Sequence, residues 1–164
     1  MGMGRVRKSG RLWLDGDVIR YETPVGDWRI PLDAVRIIGE LTSPHGPFAD
    51  DYFFCFAEAA GGWYEASCYA EGRDAFLHAL GERLGARLEP GLSGSTDFAS
   101  RILWPEPLAG RPMFDFTDEV PRGAWRRLRS FFLRRNHQTL SNAALQAIAR
   151  GDDAGAPTED GGGR

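Results

Sequence analysis

The sequence predicts an α+β protein: an antiparallel barrel or strongly bent sheet capped by one helix, with a C-terminal helical extension. Three observations support this class. Short β-rich runs alternate with turn residues over the first seventy positions, and helical periodicity then begins at Arg73. The chain has 164 residues, 42% of them hydrophobic. A domain of this size can form a core without a metal or a disulfide.

Six runs are predicted to be strands of a meander in which each strand pairs antiparallel with its sequence neighbour. The turn between the first two is expected to be a three-residue loop, Asp15-Gly16-Asp17, where glycine permits a positive φ. The run Tyr52 to Ala57 is apolar on both faces and should be central. The six runs are Arg11–Leu14, Val18–Glu22, Trp28–Leu32, Val35–Leu41, Tyr52–Ala57 and Trp63–Tyr69.

A capping helix is predicted over residues 73–84. Phe76, Leu77, Leu80 and Leu84 recur at the spacing of one helix face, and Gly85 stands where a helix C-terminus favours glycine. Together with the sheet, this helix forms a predicted domain over residues 1–119.

Residues 89–119 are rich in glycine and proline but too apolar for a free linker, so we expect an extended segment packed on the sheet. One turn of helix is expected from Thr96 to Ile102, because Ser95 and Asp97 are good N-caps. The stretch Gly91 to Thr96 could cradle an anion on backbone N–H groups. It lacks the Gly-Lys-Ser/Thr of a P-loop, which argues against nucleotide binding.

Charge divides the chain into three parts. Residues 1–119 carry 12 basic and 19 acidic side chains, whereas residues 120–150 carry seven arginines and no acid. Residues 151–164 are acidic again and contain no large apolar side chain, so this tail is predicted to be disordered. The middle part is predicted to be a basic helical extension, with a second helix from Ser141 to Arg150 that ends at Gly151.

The basic extension holds the candidate partner-binding or anion-binding residues. At helical spacing, an apolar stripe that includes Leu128 lies opposite most of the arginines. Such a helix could dock on a protein partner or a second copy, lie on an anionic membrane, or pack against its own acidic body. The acidic body argues against a nucleic-acid partner because it would repel phosphate. The candidates are Trp125, Arg126, Arg127, Arg129, Arg134 and Arg135.

A small enzyme with a site near His45, Asp50 and Asp51 is a further alternative, since a carboxylate pair beside a histidine could serve catalysis or hold Mg²⁺ or Ca²⁺. The histidines have no metal-binding spacing, and no metal, cofactor or small-molecule ligand is predicted. A two-residue turn at Gly61-Gly62 would place Cys55 opposite Cys68, and a four-residue loop would shift the register by two residues. We expect two buried thiols.

Residues 15–35 (DGDVIRYETPVGDWRIPLDAV) resemble bacterial pleckstrin-homology-like (PH-like) domains, and the resemblance covers about residues 10–88. It implies a barrel capped by one C-terminal helix, and binding of lipids, peptides or proteins without catalysis. Phosphoinositide-binding members use a basic cluster in the first hairpin. Here that loop, Asp15 to Asp17, is acidic, so phosphoinositide recognition at that hairpin is not expected.

The basic N-terminus is not followed by an apolar stretch, so it does not resemble a secretory signal, and a cytoplasmic protein is expected. Arginine outnumbers lysine 19 to 1, which indicates a GC-rich bacterial genome. The sequence thus predicts a non-catalytic binding or assembly module. Its partner would be a protein or a second copy, and an anionic membrane is the alternative.

Overall fold

The computed structural model describes residues 8–43, 50–92, 98–116 and 138–153. These residues form nine strands and two α-helices. The elements are β1 (Arg11–Asp15), β2 (Val18–Thr23), β3 (Gly26–Pro31), β4 (Val35–Thr42), β5 (Tyr52–Glu58), β6 (Trp63–Ser67), α1 (Arg73–Leu84), β7 (Ala99–Trp104), β8 (Phe114–Phe116), β9 (Gln138–Leu140) and α2 (Asn142–Asp153).

The α+β class, the antiparallel pairing and the six predicted strands are confirmed. The barrel is wrong for the described ranges, where the strands form three antiparallel sheets and no closed barrel. Sheet A has the order β1-β2-β3, sheet B has the order β6-β5-β4-β7, and sheet C is the pair β8-β9. The helix predicted over residues 73–84 is present with those bounds, and Gly85 ends it in a left-handed conformation.

The three strands of sheet A are joined by two tight turns. Asp15 pairs with Val18, so the first loop has two residues and not the predicted three. Gly16 has a φ of 61°, which lets the chain reverse within these two positions. Leu12 and Ile19 are fully buried, whereas their neighbours along each strand are exposed or half-buried.

The predicted meander breaks between β3 and β4, which do not pair with each other. Residues Leu32–Ala34 form a short 3-10 helix there, and the amide of Leu32 bonds the carbonyl of Asp17 at 2.8 Å. The compact turn diverts the chain, so β4 starts a second sheet. Pairing of sequence neighbours is correct within each sheet but not across this turn.

Sheet B places β5 between β6 and β4, as predicted for a run that is apolar on both faces. The predicted helical turn from Thr96 to Ile102 is wrong for the described part, where residues 99–104 form β7. The edge of β4 offers a ladder of backbone groups, and Gly39 pairs with Ile102 there. Pairing with a distant strand therefore outweighs the local N-cap signal.

One face of sheet B, here called the sandwich face, packs against sheet A and α1. Phe56 lies at its centre, with ring centroids 5.7 Å from Trp28 of sheet A and 6.0 Å from Phe76 of α1. Leu80 of α1 is also fully buried in this core. The capping helix thus closes a two-sheet core, here called the sandwich core.

The opposite face, here called the C-terminal face, carries a second core. Ile37, Cys55 and Ile102 from sheet B meet Phe114 of β8 and Ile148 of α2. The helix predicted at Ser141 to Arg150 is present but extends over Asn142–Asp153, so the first three residues of the predicted tail are helical. Sheet B is therefore the middle layer of three.

Candidate functional site

The basic segment leaves and rejoins the fold at one place. Its candidate residues (Trp125, Arg126, Arg127, Arg129, Arg134 and Arg135) lie outside the described residues. The strands on either side are described: β8 ends at Phe116, β9 begins at Gln138, and these two residues pair directly. A connection of 21 residues, containing six arginines and two acids, therefore joins two adjacent backbone positions.

Both anchoring strands are held firmly in the second core. Phe114 and Leu140, which pair with each other, are 2% and 6% exposed. The Phe114 ring lies 5.2 Å from that of Trp63 on β6. The amide of Ser141 donates to the carbonyl of Met113 at 2.9 Å, and its hydroxyl accepts from Ala144 in the first turn of α2. The two strands that flank the basic segment are thus held by packing and by a helix cap.

The two loop aspartates have separate hydroxyl partners. Asp50 accepts a hydrogen bond from Ser9 at 3.1 Å, and Asp51 accepts one from the phenol of Tyr69 at 2.7 Å. This bond raises the pKa of Tyr69 to about 12, with smaller contributions from burial and from the charge of Asp51. His45 lies outside the described residues, and the structure brings no third metal-ligating group to this pair within the described ranges.

The cysteines occupy opposite faces of sheet B, and neither proposed register is correct. Cys55 pairs with Glu65 because five residues, not two or four, separate the paired ends Ala57 and Trp63. Cys55 belongs to the second core and Cys68 to the sandwich core, and both thiols are free and buried. Burial raises the pKa of each thiol, which makes both poor nucleophiles.

Sequence reasoning missed a polar cluster on the sandwich face of sheet B. The carboxylate of Glu40 on β4 is fully buried, and the guanidinium of Arg101 on β7 contacts it at 2.6 and 2.8 Å. The phenol of Tyr52 on β5 also donates to Glu40. Burial, followed by the hydrogen bond to Glu40, raises the pKa of Tyr52, so Tyr52 remains a neutral donor well into the alkaline range.

Of the predicted anion cradle, Gly91 and Leu92 are described and bind an internal carboxylate, whereas residues 93–96 lie outside the described residues. The amide of Gly91 lies 3.0 and 3.1 Å from the two oxygens of Glu40, and the amide of Leu92 lies 3.3 Å from one of them. A single signal could have found this cluster: Glu40 is the one acid inside the otherwise apolar run Ile37 to Leu41. A strand residue of that kind needs a cationic or N–H partner.

No family model, curated protein or solved structure matches the chain. Among the described residues, neither helix is long and apolar enough to cross a membrane.

Proposed function

We propose that this chain is a bacterial PH-like protein that acts as a non-catalytic binding or assembly module. Its contact element is the basic segment 117–137 together with helix α2. The partner is an acidic surface on another protein or on a second copy of the chain. The observation that carries the proposal is the direct pairing of Phe116 with Gln138, because these two residues flank a stretch of 21 residues with six arginines and lie side by side in the fold.

The charge of the segment supports a protein partner. Its excess of four positive charges contrasts with the rest of the chain, which is acidic. Complementary charge speeds association and fixes orientation, and arginine is enriched at protein interfaces. Trp125 and Phe131 add the aromatic residues that often supply most of the binding energy.

Two features support the PH-like part of the proposal. Strands β1 to β6 are antiparallel, and α1 follows the last of them and packs into their core through Phe76 and Leu80. The acidic turn at Asp15 and Asp17 favours a protein partner over a phosphoinositide in this setting. We place the protein in the cytoplasm, in keeping with the two free thiols.

The proposal is tested by removing charge from the segment in the full-length chain. The triple variant Arg126→Gln, Arg127→Gln, Arg129→Gln should retain its melting temperature and lose self-association, measured by light scattering at micromolar concentration. If a different protein is the partner, its co-purification with the tagged chain should be lost instead.

The matched control removes three exposed arginines elsewhere: Arg29→Gln, Arg87→Gln and Arg111→Gln. It changes the net charge equally and should leave association intact. An unchanged mass for both variants, with no partner recovered by the wild-type chain, would contradict the proposal. Salt-sensitive flotation of the wild-type chain with anionic vesicles, lost in the first variant alone, would favour the membrane alternative.

A further inference from the structure

Residues 86–92, which follow α1, lie on the sandwich face of sheet B without regular secondary structure. We call residues 86–92 the strap. It begins where α1 ends, since the amide of Ala86 still bonds the carbonyl of Gly81 at 3.0 Å. Leu88 and Leu92 of the strap are half-buried against the sandwich core, so the strap covers apolar surface.

Polar contacts fasten the strap at its far end. Glu40 accepts from the amides of Gly91 and Leu92, and Arg101 donates from Nη2 to the carbonyl of Glu89 at 2.9 Å. Each of these bonds joins the strap backbone to one member of the Glu40–Arg101 ion pair. The strap is therefore held by the same two side chains that neutralise each other.

The glycine of the strap is required by this arrangement. A Cβ added to Gly91 would lie 2.7 Å from Nη2 of Arg101 and 3.4 Å from its Cζ. Any larger residue would push the guanidinium away from the carboxylate or lift the strap. The backbone thus approaches the ion pair as closely as glycine allows.

The energetics of the Glu40 carboxylate favour two alternative states. In the closed state this carboxylate is fully buried while the side chain of Arg101 stays 34% exposed, and the cost of burying the charge is recovered only while the hydrogen bonds to it are in place. Opening returns the carboxylate to water, which lowers the cost of opening below that for an apolar contact of the same size. Segments of this kind open locally while the rest of a fold stays closed.

We propose that the strap opens and closes as a unit over the polar trio Glu40, Arg101 and Tyr52, with Glu40 as the latch. In the closed state, which the structure shows, the carboxylate of Glu40 accepts hydrogen bonds from the amides of Gly91 and Leu92. The open state exposes the carboxylate and the phenol, beside the already part-exposed guanidinium and an apolar wall. This device is independent of the basic segment.

Hydrogen exchange of the full chain, read by mass spectrometry, tests the proposal. The Glu40→Gln variant keeps the size of the side chain but presents an NH₂ group to donors, so exchange of strap amides should rise about tenfold or more. Amides of β5 should keep their wild-type protection. The matched control is Glu89→Gln, which removes a carboxylate from the exposed pair with Arg87 on the same strap and should change nothing.

A second variant, Tyr52→Phe, covers the case in which Glu40→Gln does not fold. This variant removes one hydrogen-bond donor to Glu40 without leaving a buried charge unpaired. We expect a smaller rise in amide exchange, confined to the strap. The double variant Glu40→Met, Arg101→Met should restore global stability but leave strap exchange fast, because the strap amides still lack an acceptor. Strap exchange that stays at the wild-type rate, or rises equally in β5, would overturn the proposal.

Discussion

The two faces of sheet B are covered in different ways. The sandwich face is covered by elements close in sequence, sheet A and α1, and it contains large aromatic rings and an ion pair whose carboxylate is fully buried. The C-terminal face is covered by β8, β9 and α2, which lie far along the chain, and its contacts are close and apolar. One sheet can therefore support a large core on one side and, on the other, a smaller core formed by elements that come later in the sequence.

The closeness of the second core is clearest at Gly39 on β4. Its missing side chain leaves room for the thioether of Met113, which is fully buried. Ala144 of α2 is also fully buried. Small residues therefore let the C-terminal elements approach sheet B, whereas the sandwich face is separated from its cover by the rings of Phe54 and Phe56.

The largest expected effect is the loss of an aromatic ring from the sandwich face. Phe56→Ala removes a fully buried ring that touches Trp28 and Phe76, and should cost about 3–5 kcal/mol of the free energy of unfolding. Urea unfolding measures this loss. Val25→Ala is the control, since Val25 is 96% exposed and its loss should lie within about 0.5 kcal/mol of zero.

Shortening a buried side chain of α2 should lower the free energy of unfolding by a smaller amount. Ile148→Ala truncates a side chain that is 5% exposed in the second core, and we expect the free energy of unfolding to fall by about 2–3 kcal/mol. Leu145→Ala on the same helix is the control, because Leu145 is 47% exposed. Equal losses for these two variants would mean that α2 does not pack on sheet B through Ile148.

The next largest loss of stability is expected from a substitution at Gly39, which lies against Met113. In Gly39→Ala the new methyl group would clash with Met113 and lie 2.8 Å from the carbonyl of Arg101, so a loss of about 1–3 kcal/mol is expected. Gly26→Ala has nothing within 4 Å of the new methyl and should be neutral or slightly stabilising. A Gly39→Ala chain as stable as the wild type would show that the two layers are not tightly packed.

The smallest expected effect is at alkaline pH. The pKa of Tyr69 is raised from 10.0 to about 12 in the folded chain, so its contribution to stability is complete below pH 10 and is lost as pH rises towards 12. Absorbance titration of Asp51→Asn should show the phenol ionising closer to pH 10. Asp74→Asn is the control, and an identical shift in both variants would exclude the Asp51 hydrogen bond as the cause.

Much of the first half of the fold could be predicted because its signals are local. The six strands, the helix over residues 73–84 and its glycine end follow from periodicity and turn chemistry over short windows. The meander nevertheless broke at Leu32–Ala34, and the hairpin register at Cys55 depended on a turn whose length the sequence left open. Register is set by turn geometry, which small differences in loop length change.

Elements that depend on distant partners were not predictable in the same way. The strand β7 pairs with β4 across about sixty residues of sequence, and no local sequence pattern predicts that pairing. The same distance separates Glu40 from Arg101, so the polar cluster was missed although its anion cradle at Gly91 was noticed. The aspartates at 50 and 51 were singled out, and their partners Ser9 and Tyr69 were not.

The claim that the basic segment is the contact element is tested most directly by replacing residues 117–137 with Asn-Gly. This two-residue turn suits the paired ends Phe116 and Gln138. Hydrogen exchange and light scattering are measured on this chain and on the full-length protein. We expect unchanged protection of β5 and α2 together with loss of association. Unfolding of α2, or association equal to that of the full-length chain, would contradict it.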